Sequence, residues 1–94
     1  MQINFKGTDC ILHKLKYVNG RTALELTEAE TGESFLTVSK NIPTENLSSN
    51  EIIIKDYSEN DGILRCLAEI GVISYPKRWI TQGWVSLPIC DLLI

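Results

Sequence analysis

Asp56, Ser58, Glu59, Asn60 and Asp61 crowd side-chain oxygen donors into six consecutive positions of KDYSENDGIL, with Gly62 directly after them. Oxygens at that density are what a hard cation such as calcium takes, and paired carboxylates are what acid–base hydrolysis takes. A calcium loop of the EF-hand kind requires D-x-[DN]-x-[DN]-G and a glutamate at position twelve. Counted from Asp56, the glycine falls one place late and position twelve is Leu67. A general acid–base pair also needs a cleft that drives two carboxyl pKa values apart, and nothing in this run supplies one.

The same residues are well suited to starting a helix. Ile63, Leu64, Leu67 and Ile70 recur at helical spacing, which predicts a helix over about residues 59–70 with one apolar stripe. Ser58 with Asp61, or Asp56 with Glu59, provides the N-cap, and Glu59 and Asp61 fall near the positive end of the helix dipole. Negative charge there is favourable by about 0.3–1 kcal/mol. Gly71 supplies a left-handed C′ residue, with Val72 as the apolar contact of a Schellman motif. Gly62 has no role in this scheme, because glycine inside a first turn costs up to about 1 kcal/mol relative to alanine. Close approach of another backbone or a ligand would account for it.

Elsewhere the chemistry-bearing residues are sparse. His13 is the one histidine, and Cys10, Cys66 and Cys90 are three widely spaced cysteines, so neither a CxxC motif nor a four-ligand zinc cluster can be drawn. The cysteines are expected as reduced, mostly buried thiols, and Cys66 as a packing residue of the helix. A cysteine nucleophile would have only His13 as its base. Tyr75, Lys77, Arg78, Trp79 and Trp84 combine aromatic and basic side chains within ten positions, a mixture found at protein–protein hot spots and on single-stranded nucleic acid. The plainer expectation is that at least one tryptophan fills the core while Lys77 and Arg78 meet solvent. Glu25, Glu28, Glu30 and Glu33 form an acidic patch, either a solvated rim or a face for the basic groove of a nucleic-acid-binding enzyme.

These residues need a scaffold, and two turns predict most of it. Asn19-Gly20 between alternating runs fits a two-residue type I′ hairpin. Counting outward pairs Leu15 with Leu24, Lys14 with Glu25 and His13 with Leu26, placing Leu15 and His13 on a dry face. Glu30-Thr31-Gly32 then forms a three-residue loop that brings Leu26 opposite Leu36 and Leu24 opposite Val38. Together the turns predict a three-stranded meander over roughly residues 9–39, with Leu15, Leu24, Leu26, Leu36 and Val38 on one side. EIIIKD reads as a fourth strand, and GWVSLPICDLLI as a further one with Pro88 at an edge or a bulge. The expected class is α+β: an antiparallel β-meander of four to six strands, with a small barrel-like sheet as a variant, and one helix packed on one face.

At 94 residues the chain is expected to be a single domain, 1–94, which hides only about 60–65% of its unfolded surface and so has little depth for a buried active site. The hydrophobic fraction of 44% and charged fraction of 22% are ordinary for a globular protein, which argues against disorder. No apolar run approaches a membrane span, the start MQINFKGTD lacks a signal-peptide pattern, and a cytoplasmic protein is expected. A net charge of −3 marks neither a nucleic-acid binder nor a DNA mimic.

The segments YVNGRTALEL, TGESFLTVSKNIP, IIIKDYSENDGILRCLAEIGVI and GWVSLPICDLL, covering about Cys10 to Leu93, resemble a small family of bacteriophage and mobile-element proteins known only as a domain of unknown function. The resemblance implies a phage or mobile-element origin and a compact α+β fold; it brings no activity, cofactor or catalytic residue. With no phosphate loop and no nucleophile elbow, the expectation is a non-enzymatic protein without a cofactor or metal, which binds a host protein and inhibits a bacterial defence nuclease in the host cytoplasm, as an anti-CRISPR factor would. The alternative is a small nucleic-acid or nucleotide binder using Lys77, Arg78 and Trp79. A hydrolase built on His13 is a third reading, and an exposed sheet edge would allow a homodimer.

Overall fold

The computed structural model describes residues Met1–Ile94. In chain order the elements are β1 (Gln2–Phe5), β2 (Thr8–Lys16), β3 (Thr22–Glu28), β4 (Ser34–Thr37), β5 (Ser39–Lys40), β6 (Glu51–Ile54), a 3₁₀ turn at Ser58–Asn60, α1 (Ile63–Glu69), β7 (Arg78–Gln82) and β8 (Val85–Asp91). The class is α+β and mostly sheet. The strands form two four-stranded antiparallel sheets, in the orders β1-β2-β3-β4 and β5-β6-β8-β7, without closing into a barrel. The expected meander is thus one half of a larger arrangement, in which the chain leaves the first sheet at Val38. The Val38 N–H donates to the Leu24 carbonyl of β3, and its own carbonyl accepts from Lys55 N–H just after β6.

Positive φ explains where the turns fall. Lys6 (φ 51°) and Gly7 (φ 83°) are the two central residues of the β1–β2 turn, the type I′ pattern expected at Asn19-Gly20. At the β2–β3 turn only Gly20 has positive φ, 85°. The Asn19 amide instead bonds across to Asn41 Oδ1, and the loop becomes three residues, Val18 to Gly20, closed by Tyr17 N–H to the Arg21 carbonyl. This shifts the register by one residue, so that Leu12 faces Leu26, His13 faces Glu25 and Leu15 faces Ala23. A one-residue slip turns a strand over. Leu12 is therefore buried at 7% exposure and Leu15 stands out at 47%, reversing the expected side for Leu15 and for His13.

The second turn is also one residue longer than expected, closed by Glu28 N–H to the Glu33 carbonyl, but a bulge restores the register. Thr27 pairs with Ser34, the shift falls between Leu26 and Thr27, and Leu26 then faces Leu36 as expected. Leu24, Leu26, Leu36 and Val38 share the buried side, joined by Ile3, Phe5, Cys10 and Leu12.

The inner strands of the second sheet, β6 and β8, are dry on both faces. Ile52, Ile54 and Cys90 join the main core with Ile63 and Leu67 of α1, while Ile53, Leu87 and Ile89 on the other face are covered by Ile42, Leu47, Tyr57 and Ile80. Pro88 is neither at an edge nor at a bulge of its own strand: β8 is an interior strand. Pairing with β6 stops at Ile53–Ile89, one residue short of the proline, so no partner on that side needs its missing N–H.

The helix is shorter than expected, Ile63–Glu69, because Gly62 is its N-cap at φ 96°. Positive φ, not a close neighbour, is the reason for glycine: a Cβ there would meet only Phe5 Cε1, at 4.0 Å. Neither expected capping pair forms. One Asp56 oxygen, Oδ1, accepts from the N–H groups of both Gly62 and Leu64 at 3.0 Å, across the intervening 3₁₀ turn. The C-terminus matches the expected Schellman motif, with Val72 N–H to the Leu67 carbonyl, Gly71 N–H to the Ala68 carbonyl, and Val72 buried. Ile70, expected on the stripe, is the exposed C-cap. No helix is long and apolar enough to cross a membrane.

Candidate functional site

The β7–β8 hairpin closes at Gln82–Val85 around Gly83 and Trp84, with positive φ only at Gly83 (60°), the type II′ pattern. Trp84 at its tip is 103% exposed and Trp79 is 56% exposed opposite Pro88, with Tyr75 exposed just before the strand. Neither tryptophan fills the core, contrary to expectation. Trp79 pairs with Pro88, on the opposite face from Leu87 and Ile89, and Trp84 stands in the turn, so the smaller cluster is closed by Ile42, Leu47 and Tyr57 instead.

Lys77 and Arg78 are exposed, as expected, but both are also held by one buried carboxylate. Arg78 grips Glu51 with two nitrogens, Nη1 to Oε2 at 2.7 Å and Nη2 to Oε1 at 3.2 Å, while Lys77 Nζ lies 2.9 Å from Oε2. Consecutive residues of a regular strand point to opposite faces. Here Lys77 N–H donates to the carbonyl of Ile89, the residue paired with Arg78, so the two neighbours share one partner in the manner of a bulge. The Ser48 N–H completes the Glu51 shell at 2.9 Å, and Lys77 bridges to Asp91 at 3.0 Å. The Glu51 side chain is 3% exposed, and the Arg78 guanidinium, the Ser48 N–H and Lys77 hold its carboxyl far below the ordinary value. Glu51 in turn raises the pKa of both Lys77 and Arg78. Two cations meet two anions, Glu51 and Asp91, and the cluster is neutral. Sequence inspection did not single out Glu51: only the order β6-β8-β7 brings it to the basic pair.

The acidic patch is arranged differently. Glu28, Glu30 and Glu33 gather at the β3–β4 turn beside Asp9, and Glu25 lies on the outer face opposite His13. None of these five carboxylates has an ion-pair partner. Glu28 accepts from Thr31 Oγ1 at 3.0 Å, and Gly7, Thr8, Asp9, Glu28 and Glu30 line an open depression of about 310 Å³.

His13 Nε2 and Thr27 Oγ1 are 2.8 Å apart on the outer face. Cys10 lies on the opposite face of β2, and Cys66 and Cys90 pack in or against the same core, so the first sheet separates the imidazole from every thiol. All three thiols are free, and burial pushes Cys90 up to about 12. Asp56 is engaged by backbone N–H groups, Glu59 pairs with Lys55 at 3.3 Å, and no three His, Cys, Asp or Glu side chains converge on a point. The Ser58 backbone has positive φ, 55°, within the 3₁₀ turn, where the buried Asn60 donates to the Thr37 carbonyl at 2.7 Å. The 56–61 stretch is thus a structural joint between β6, β4 and α1.

No family model matches the chain, and neither a curated protein nor a solved structure matches it.

Proposed function

We propose that the chain is a non-enzymatic binding domain that docks a partner protein through the β7–β8 hairpin. The observation that carries this reading is the exposure of Trp79 and Trp84 on one hairpin, with Tyr75 exposed just before it, whose flanking charges are already neutralised by Glu51 and Asp91. Large rigid aromatics gain the most from being covered at an interface and lose little conformational entropy in doing so. The unpaired acids Asp9, Glu28, Glu30 and Glu33 add a negative end that would steer the chain toward a basic partner surface. With the phage and mobile-element resemblance, the concrete version is a host protein in the host cytoplasm, such as a nuclease of bacterial defence.

The nucleic-acid alternative retains its stacking aromatics, but its phosphate contacts would require Lys77 and Arg78 to leave a buried carboxylate. It predicts binding that weakens steeply with salt. The docking proposal is tested by affinity capture from host lysate with the wild-type chain and with Trp84→Ser, alongside phage restriction in cells expressing each. One stoichiometric host protein retained only by the wild type supports it. Capture of no protein, together with unchanged restriction, removes it.

A further inference from the structure

We infer that two copies of the chain join β7 to β7 antiparallel about a two-fold axis at Ile80, forming a continuous eight-stranded sheet with Trp79 of each copy on one face. This rests on the hairpin being a docking surface and names its first occupant as a second copy.

The inference begins with the edges. The Asn60 amide takes the Thr37 carbonyl of β4, Cys66 Sγ approaches the Asn4 carbonyl of β1 at 3.9 Å, and β5 is the continuation of β4 beyond Val38. Against these, Trp79 to Gln82 make no hydrogen bond outside their own hairpin ladder. In a two-residue hairpin the closing pair, here Gln82–Val85, exchanges its backbone bonds, and alternation turns the bonds of Ile80 and Arg78 toward β8 as well. The N–H and C=O groups of Trp79 and Thr81 therefore point outward, unpaired. Edges are normally blunted with lysine, proline or an inward charge, and Trp79-Ile80-Thr81-Gln82 contains none of these.

The strand is complementary to itself. Centred on Ile80, an antiparallel pair sets Trp79 against Thr81 of the second copy and Arg78 against Gln82, while Ile80 meets Ile80. No like charges face each other, and Arg78 is already neutralised by its own Glu51. The unpaired acids Glu25, Glu28, Glu30 and Glu33 lie on β3 and in the β3–β4 turn, in the other sheet. An aromatic residue opposite a β-branched one is a favourable cross-strand pair. The two-fold uses that pair twice and gives two tryptophans to a single face.

Sedimentation equilibrium over a concentration series reads the association directly. The expected result is a mass that doubles with concentration for the wild type and stays at one chain for Thr81→Pro, which removes an outward N–H and spares the β7–β8 ladder; circular dichroism checks its fold. Independently, Ile80→Cys in a Cys66→Ser background should form a disulfide-linked dimer under mild oxidation, since residue 80 lies on the axis. A wild-type chain that remains monomeric throughout overturns the inference and leaves β7 to a strand from a different protein; so does a folded Thr81→Pro that still doubles. Because association is read on the purified chain and docking by the Trp84→Ser capture, failure of either one is seen separately from failure of the other.

Discussion

The two sheets treat their faces and edges in opposite ways. The first buries one face, turns Ile11, His13 and Leu15 outward, and has its outer strands engaged by Asn60 and Cys66. The second buries both faces of β6, with all three isoleucines out of solvent, yet leaves β7 uncovered along its length. Covering faces is what stabilises a small domain, since apolar area removed from water is its main favourable term. An edge strand contributes little to that burial, so β7 is where a sequence can keep exposed tryptophans at small cost to the fold.

The sharpest way to break the comparison is to remove a buried side chain from each face. Leu26→Ala in the main core and Ile53→Ala in the smaller cluster are each expected to lower unfolding free energy by about 2–5 kcal/mol in urea titrations. A loss well under 1 kcal/mol at Ile53 would mean that the second sheet has only one true core face. Next in size is Gly62→Ala, which forces an alanine to φ 96° and should cost about 1–3 kcal/mol; Asp56→Ala, which leaves the Gly62 and Leu64 N–H groups without an acceptor, should cost about 0.5–2 kcal/mol by the same measurement.

Acid titration sharpens the account of the Glu51 cluster. The folded-state pKa of Glu51 is depressed below its ordinary 4.5, so its contribution to stability is complete above that value and is lost as pH falls through and below it. Melting temperature followed from pH 7 downward should therefore drop more steeply below about pH 4.5 in the wild type than in Glu51→Gln. Parallel curves would assign the acid sensitivity to other carboxyls. The smallest expected change in stability is at Trp84→Ser, within about 0.5 kcal/mol, whereas partner affinity should fall tenfold or more. A marked loss of stability there would move Trp84 from the docking surface to the fold.

What the sequence revealed was local. Gly71 and Val72 announce the helix C-terminus because a Schellman motif involves only the residues beside it, and the 26–36 pairing was legible because a bulge at Phe35 cancels a one-residue error in the turn. The first hairpin departs from its local signal where distant contacts hold its loop: Asn19 reaches Asn41, and Arg21 donates to the carbonyls of Ile42 and Glu45, contacts that no window around Asn19-Gly20 contains. The Lys6-Gly7 turn carries a weak sequence signal, because lysine is an unusual residue at positive φ. Tryptophan exposure and the Glu51 grip on Lys77 and Arg78 were hidden for a related reason, since both follow from three separate segments meeting in the second sheet.

Val38 has a further consequence. Because its N–H serves one sheet and its carbonyl the neighbour of the other, the ribbon from Ser34 to Lys40 cannot fray on one side without loosening both. The chain should thus lose its structure in a single cooperative step, with the slowest-exchanging amides of β3 and β6 reporting a common opening energy, and with no half-folded species in which one sheet outlives the other.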